Sequence, residues 1–148
     1  MRLVVQRVTK AEVFRVKTGE VLGTIGKGLL VLFGVKKGDT NKEAKFLAEK
    51  LLKLRIMSDE NDKMNLSVVD VKGEILVVSQ FTLYADTSGG NRPSFINAED
   101  PDKAREIYDY FVEILRVSGL RIETGSFGDY MQIEATLDGP VTIIYQEV

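Results

Sequence analysis

The sequence predicts an α/β fold in which curled, barrel-like β-sheets carry two main amphipathic helices packed on the outside. Three features support this prediction: long apolar segments typical of buried strands, only two segments with helical spacing of apolar residues, and no repeat, low-complexity stretch or linker. With 148 residues, the chain has the length of one domain, and we expect residues 1–148 to form it.

The first part of the chain is expected to supply strands joined by tight turns. The apolar patterns predict a strand at 3–8, a hairpin formed by 12–16 and 20–25, and a strand buried on both faces at 28–35. Arg7 lies in the first of these strands. Its side chain commonly faces solvent in such a position; the alternative is a buried guanidinium bonded to backbone carbonyls or a carboxylate.

Two segments carry the signals of helix starts. Thr40 and Glu43 form a capping box, and apolar residues follow at helical spacing over about four turns: Ala44, Leu47, Leu51 and Leu54. Asp100 and Pro101 predict the second start, with Asp as the N-cap and Pro at the first helical position. Its apolar stripe comprises Ala104, Ile107, Tyr108, Phe111, Ile114 and Leu115, and Gly119 is expected to close the helix.

The stretch from Ile75 to Phe95 stands out as a candidate site. Four apolar residues at 75–78 predict a buried strand, and the hydrogen-bonding side chains of Ser79, Gln80 and Thr82 then surround Phe81. A loop rich in Gly, Ser, Thr and Asp follows. A buried strand that delivers polar groups to a loop is a common way to build a site; the alternative is a strand end whose polar groups are satisfied locally.

The last part of the chain predicts a short strand at 120–123, a loop at 125–129 and an alternating strand at 131–137. Gly139-Pro140 follows. The pair is typical of a turn between two strands; alternatively its peptide bond is cis, which would fix two backbone carbonyls as a rigid pair of acceptors.

The absence of two residue types narrows the chemistry. The chain has no cysteine and no histidine, which excludes disulfides, thiolate nucleophiles and a Ser-His-Asp triad. A hydrolase with this composition must use carboxylates, hydroxyls, backbone amides or groups of its substrate. A net charge of −2 argues against extensive electrostatic binding of a nucleic-acid backbone but is compatible with a small contact at one end of a nucleic acid.

Other absences bear on localisation and cofactors. No apolar run approaches the about 20 residues that span a bilayer, and residues 1–7 lack the pattern of a signal peptide, so we expect a cytoplasmic protein without membrane contact. The acidic segment 59–65 lacks the central Gly and the final Glu of a calcium loop, and 23–28 lacks the spacing of a dinucleotide fingerprint. We expect neither a metal nor a cofactor.

Two tetrapeptides together resemble the paired signatures of the D-aminoacyl-tRNA deacylases: Ser79-Gln80-Phe81-Thr82 and Gly139-Pro140-Val141-Thr142. The similarity extends over nearly the whole chain through M-R-x-V-V-Q-R-V, K-M-N-L-S-V, V-V-S-Q-F-T-L-Y-A-D and R-P-S-F. One position departs from the pattern: the family usually has Asn two residues before the Gly-Pro pair, where this chain has Leu137. The departure concerns one local polar contact near the Gly-Pro pair.

The resemblance implies a homodimer that binds the 3′ end of aminoacyl-tRNA, with active sites at the subunit interface. In this chain it assigns pocket-lining roles to Ser79, Gln80, Phe81 and Thr82, further pocket-wall positions to Phe127 and Met131, and chiral selection from across the dimer to a cis Gly139-Pro140 pair. It also implies that Arg7 holds the Gly-Pro loop in place.

The chemistry implied by the resemblance suits a chain without histidine. An aminoacyl ester is already activated and has a ribose hydroxyl beside it, so positioning and oxyanion stabilisation suffice. We expect the amides near Phe81 and Thr82 to form the oxyanion site; a nucleophilic Thr82 is the alternative. Backbone carbonyls at Gly139-Pro140 would exclude L-side chains and admit glycine, so glycyl-tRNA is an expected further substrate.

Two other functions compete with this one. A non-catalytic dimeric module that binds nucleic-acid ends would fit the near-neutral charge and a polar pocket without a base. A metal-dependent hydrolase would need carboxylate ligands, for which the sequence offers no cluster with suitable spacing.

Overall fold

A computed structural model of the chain, which describes residues 1–146, confirms the α/β class and the barrel-like sheet with two helices. The strands are β1 (Arg2–Arg15), β2 (Val21–Ile25), β3 (Gly28–Gly34), β4 (Met57–Ser58), β5 (Met64–Leu66), β6 (Glu74–Ser79), β7 (Ile122–Thr124) and β8 (Met131–Gln146). The helices are α1 (Asn41–Leu52), α2 (Pro101–Val117) and a short 3-10 helix (Phe81–Tyr84).

One sheet runs in the order β2-β1-β3-β6-β7, and β8 pairs with the other edge of β1. The separate strands predicted at 3–8 and 12–16 are a single strand, because the first half of β1 pairs with β3 and its second half with β2. The segments predicted on either side of Gly139-Pro140 likewise belong to one strand, β8, which follows β1 over nearly its whole length. Two long strands that change partners along their length curl the sheet.

Strands β3, β6 and β7 are parallel to one another, so their carboxyl ends lie at the same edge of the sheet. The start of β3 lies very close to β6: a Cβ atom on Gly28 would lie 1.8 Å from the carbonyl oxygen of Glu74. Only glycine permits this approach. The shared edge is where polar loops can meet next to the core.

Both helices pack against the sheet and against each other. The capping box is confirmed, with the Thr40 N–H donating to the Glu43 carboxylate at 2.7 Å, but α1 ends at Leu52 and is shorter than expected. Asp100 occupies the predicted N-cap position of α2, yet its side chain makes no capping hydrogen bond. Within residues 1–146, no helix has the length and apolar character needed to cross a bilayer.

Candidate active site

A cavity of about 750 Å³ opens at the carboxyl edge of β3, β6 and β7. The residues predicted for the pocket from Ser79 to Thr82 lie in its wall, together with Phe127 and Met131. The other lining residues are Phe33, Val35, Lys37, Val78, Phe95, Ala98, Glu99, Asp100, Pro101, Ala104, Gly128, Asp129, Tyr130 and Ile133. Mostly apolar walls with a few convergent polar groups are typical of small-ligand sites.

The 3-10 helix at the cavity begins directly after β6. The Gln80 N–H donates to the Phe33 carbonyl at 2.7 Å, which ties the start of the turn to the end of β3. Leu83 is the next residue whose N–H has a backbone acceptor, the Gln80 carbonyl at 3.3 Å. The N–H groups of Phe81 and Thr82 therefore have no acceptor within residues 1–146, as expected for the first amides of a helix.

The side chains of this segment contact one another at the cavity wall. The Gln80 side-chain amide donates to the Thr82 hydroxyl, and the Phe81 ring packs edge-on against Phe95 with centroids 4.9 Å apart. Phe81 is nevertheless 58% exposed. An aromatic side chain at the edge of an open cavity offers an apolar surface to a bound ligand.

The opposite wall is held by the loop after β7. The Gly125 N–H donates to the Val77 carbonyl at 3.2 Å, and the Ser126 N–H lies 3.3 Å from the Met131 sulfur. The Tyr108 hydroxyl also donates to the Val77 carbonyl, at 2.8 Å, and its ring packs on Phe127. Burial raises the pKa of Tyr108 well above its usual range, so the hydroxyl stays protonated and remains a donor.

A third part of the wall was missed by sequence reasoning. The segment 96–99 lies antiparallel to 35–37, with the Glu99 N–H donating to the Val35 carbonyl at 3.1 Å. This pairing brings Lys37 and Glu99 to the cavity, although neither belongs to a motif. The one available signal was the position of these residues in the chain: Lys37 follows the end of β3, and Glu99 precedes the start of α2.

Glu99 is the most strongly perturbed carboxylate in this wall. It accepts from the Lys103 ammonium at 2.8 Å and from the N–H groups of Gly38 and Asp100, both at 3.1 Å. The hydrogen bond from Lys103 and those from the two backbone amides lower the pKa of Glu99 from its usual 4.5 to about 2. The carboxylate therefore joins the turn after β3 to the start of α2.

The low pKa of Glu99 predicts a specific acid sensitivity. Because the pKa is lower in the folded state, ionised Glu99 stabilises the fold above about pH 4.5, and this contribution disappears as the pH falls towards about 2. We expect Glu99→Gln to lower the free energy of unfolding at about pH 6 and to match the parent protein near about pH 2, in urea titrations across that range. Glu60→Gln, at an exposed turn residue, is the control; a pH-independent deficit for Glu99→Gln would contradict the prediction.

The Gly-Pro loop, residues 138–141 within β8, does not line the cavity of its own chain. Strand pairing places Gln6 opposite Thr142 and Val8 opposite Leu137, so residues 138–141 lie opposite Arg7 alone and project from the strand. The Gly139-Pro140 bond is cis, in agreement with the alternative interpretation of this pair, and both residues are exposed. Neither lines the cavity.

Arg7 is buried, with 8% of its surface exposed, so the alternative interpretation of this residue is correct. Its Nη1 donates to the Ile56 carbonyl at 2.8 Å and contacts the Ser58 hydroxyl at 3.3 Å. Its Nε contacts the Asp138 carbonyl at 3.2 Å and the Asp138 carboxylate at 3.1 Å. The guanidinium thus connects the base of the Gly-Pro loop to the segment before β4.

Among the described residues 1–146, no three His, Cys, Asp or Glu side chains are grouped so that they could hold a metal ion. The carboxylates at the cavity are Glu99, Asp100 and Asp129, and two of them have cationic partners: Glu99 pairs with Lys103, and Asp129 with Arg15 at 2.8 Å. What the cavity offers a ligand is therefore chiefly backbone amides, hydroxyls and aromatic surface.

Comparisons with known proteins agree with the geometry. The family model described as D-Tyr-tRNA(Tyr) deacylase matches residues 4–146. A protein of Koribacter versatilis named D-aminoacyl-tRNA deacylase is 56% identical over 97% of this chain and 95% of its own length. A protein of the same name from Bacillus licheniformis is 54% identical, with 97% of each chain covered.

Two solved structures have the same fold. The structure of a protein named c-Myc DNA Unwinding Element Binding Protein superposes with a TM-score of 0.92 at 43% identity, covering 100% of this chain and 99% of its own. A probable eukaryotic D-amino acid tRNA deacylase superposes with a TM-score of 0.83 over 97% of both chains. At 18% identity, the second match supports the fold alone.

Proposed function

The chain belongs to the D-Tyr-tRNA(Tyr) deacylase family, and from this we propose that it is an enzyme that hydrolyses the ester bond of D-aminoacyl-tRNA and releases the free D-amino acid and tRNA. The observation that carries the proposal is the position of Ser79–Thr82 at the wall of the cavity, where two backbone N–H groups, those of Phe81 and Thr82, have no acceptor among the described residues 1–146. Residues 1–148 act as one domain, and the cytoplasm, where aminoacyl-tRNAs are made and used, is the site of action.

The reaction requires a water molecule, the ester and a site for negative charge. The water oxygen attacks the ester carbonyl, the carbon–oxygen bond to the ribose breaks, and the ribose oxygen receives the proton. The N–H groups of Phe81 and Thr82 stabilise the oxyanion that forms on the carbonyl, because they have no other acceptor within residues 1–146. The neighbouring ribose hydroxyl assists the proton transfer, so the protein needs no histidine.

Thr82 acts as a positioning group. A nucleophilic hydroxyl must give its proton to a base, but the one side-chain partner of this hydroxyl within residues 1–146 is the Gln80 amide, which donates to it. The Thr82 proton is therefore directed away from Gln80 and is available to an oxygen of the substrate. Gln80 and Thr82 together orient the ester relative to the oxyanion site.

Replacement of Thr82 separates the two roles. For a positioning group, Thr82→Val should lower kcat/KM for D-tyrosyl-tRNA by about 10- to 100-fold, the effect of one lost hydrogen bond to a charged or developing-charge group. Thr82→Ser keeps the hydroxyl and should retain most of the activity. Loss of all activity above the uncatalysed rate in Thr82→Val, or a covalent acyl-enzyme trapped on Thr82 by mass spectrometry, would instead establish the nucleophile.

Chiral selection comes from a second copy of the chain. Gly139 and Pro140 do not line the cavity of their own chain, so they can contact a substrate only from a partner subunit. The exposed apolar side chains of Leu137 and Ile144, which are 44% and 63% exposed, flank the loop in a manner typical of a surface that another chain covers. In the homodimer, the loop carbonyls accept from the substrate ammonium and leave no space for an L-side chain.

The proposed function is tested by hydrolysis of D-tyrosyl-, L-tyrosyl- and glycyl-tRNA side by side, with a chelator present. We expect the D-ester and the glycyl ester to be cleaved and the L-ester to survive, because rejection acts on the side chain that glycine lacks. Cleavage of the L-ester at a similar rate would contradict chiral selection by the loop. Intact glycyl-tRNA beside cleaved D-tyrosyl-tRNA would contradict steric exclusion, and loss of activity in chelator would indicate a metal-dependent hydrolase.

A dimeric, non-catalytic module that binds nucleic-acid ends is the second candidate. One structural relative, 43% identical to this chain, is named as a protein that binds a DNA unwinding element. If folded protein left every ester intact and instead retained tRNA or single-stranded DNA ends in a gel-shift assay, the binding module would replace the deacylase. Cleavage of the D-tyrosyl ester by the folded protein would instead support the deacylase over the binding module.

A further inference from the structure

The guanidinium of Arg2 is a half-buried cation that lies beside the 3-10 helix and has no part in the mechanism described above. Its Nη1 donates to the Leu83 carbonyl at 2.5 Å, and its Nη2 contacts the Gln146 side chain at 2.9 Å. Its central carbon lies 5.0 Å from the centre of the Tyr84 ring, which is 8% exposed. Its Nε is buried and has no hydrogen-bond acceptor within residues 1–146.

An arginine in this position contributes more than surface charge. Burying a donor without an acceptor is unfavourable, so the remaining contacts of the side chain must offset that cost. Two of those contacts converge on Leu83 and Tyr84, the last residues of the 3-10 helix. Leu83 is 81 residues away from Arg2 along the chain. A planar guanidinium can donate to a carbonyl while its flat face lies against a ring, whereas an ammonium is a compact charge without such a face.

The 3-10 helix is held at its other points by the end of β3. The Gln80 N–H donates to the Phe33 carbonyl at 2.7 Å. The neighbouring Gly34 lies so close that a Cβ atom there would be 3.1 Å from both the Gln80 carbonyl oxygen and the Leu83 Cβ atom. Arg2, which pairs with Gly34 across the sheet, supplies a further attachment at the carboxyl end of the helix.

We propose that Arg2 is a positioning residue: by bonding the Leu83 carbonyl and stacking on Tyr84, it fixes the orientation of the 3-10 helix and hence of the Phe81 and Thr82 amides at the cavity. Oxyanion stabilisation depends on donors that are held in place before the reaction. Greater mobility of this helix should therefore lower kcat more than it weakens substrate binding. The inference rests on the proposed function for its catalytic consequence only, since the mechanical role can be measured without substrate.

The mechanical role is tested by amide hydrogen exchange in Arg2→Met. The N–H groups of Leu83 and Ala85, which bond within the 3-10 segment, should exchange at least about tenfold faster than in the parent protein. The Gly125 N–H, bonded to Val77 on the opposite wall, should be unchanged. Equal exchange at Leu83 and Ala85 would overturn the proposal, as would a rise of the same size at Gly125, which indicates general destabilisation. If Arg2→Met does not fold, Arg2→Lys serves, with a smaller increase expected.

The catalytic consequence is tested by steady-state kinetics on D-tyrosyl-tRNA. Arg2→Met should lower kcat by about tenfold while KM changes by less than about threefold, and Arg2→Lys should fall between this variant and the parent. Arg116→Met, at an exposed arginine on α2, is the matched control and should behave as the parent. Unchanged kcat in folded Arg2→Met would overturn the proposal. If the parent protein itself cleaves no ester, the proposed function fails, and hydrogen exchange still decides the role of Arg2.

Discussion

Replacing Gly139 by Ala is expected to lower kcat/KM for D-tyrosyl-tRNA by at least about 100-fold while the protein remains folded. Gly139 has a φ of +116°, a conformation that residues with a side chain rarely adopt. An added Cβ atom would lie 2.8 Å from the Val141 Cγ2 atom and 3.2 Å from Arg7 Nη2. The loop must therefore move, and its carbonyls leave the positions from which, in the proposed homodimer, they would meet the substrate.

A matched control separates this effect from ordinary backbone strain. Gly119, after α2, has a φ of +81°, and an added Cβ atom there would contact nothing within 4 Å. Gly119→Ala should therefore lose about 1–2 kcal/mol of stability with normal activity. Equal activities of the two alanine variants would argue that the Gly139 loop takes no part in the reaction.

Mixed dimers show from which subunit the loop acts. Thr82→Arg should be inactive because the long side chain fills the cavity, and Gly139→Ala should keep at most about 1% of the activity because its loop is displaced. A hybrid of the two chains, purified through different C-terminal tags, has one intact cavity served by one intact loop if the loop crosses the interface. We expect about half the turnover of the parent dimer. A hybrid as inactive as the two variant homodimers would contradict the cross-subunit arrangement.

Replacing Arg7 by Met is expected to lower the free energy of unfolding by about 2–4 kcal/mol and to reduce activity towards the level of Gly139→Ala. The change removes the donor to the Ile56 carbonyl at 2.8 Å and the partner of the Asp138 carboxylate at 3.1 Å. The hydrogen bond to the Ile56 carbonyl is buried, so solvent cannot replace this donor, whereas the Asp138 side chain is 41% exposed and can be hydrated in part. Urea denaturation at a fixed protein concentration measures the loss of stability.

Two further variants make the Arg7 experiment specific. Arg7→Lys retains the charge but cannot bond Ile56 and Asp138 at once, so it should recover only part of the stability. Lys10→Met removes an exposed cation from the same strand and should behave as the parent. An Arg7→Met variant with unchanged stability and activity would show that other contacts hold the Gly-Pro loop.

Features governed by neighbouring residues could be predicted from the sequence. The capping box at Thr40, the positions of both helix starts and the buried strand at 75–78 all follow from local hydrogen bonding and side-chain periodicity, and all are present in the structure. The position of Ser79–Thr82 at a cavity wall could be predicted for a similar reason, since a polar cluster directly after a buried strand is visible without knowledge of the fold.

Features governed by contacts between distant segments could not be predicted in the same way. The union of two predicted strands into β1 depends on the change of partner from β3 to β2. Lys37 and Glu99 reach the cavity only because 96–99 pairs with 35–37. The burial of Arg7 among backbone carbonyls and the contacts of Arg2 with the 3-10 helix likewise involve residues far apart in the chain.

The amino-acid sequence by itself therefore determined the class of fold, the helix starts and the polar segment that lies at the cavity, because local periodicity, the capping box at Thr40 and the proline at Pro101 specify them. Only the tertiary structure decided which polar groups lie around that segment and which arginines are buried. Such choices depend on strand register and on the close approach of distant backbone segments, as at Gly28 and Gly34, and these are properties of the packed chain.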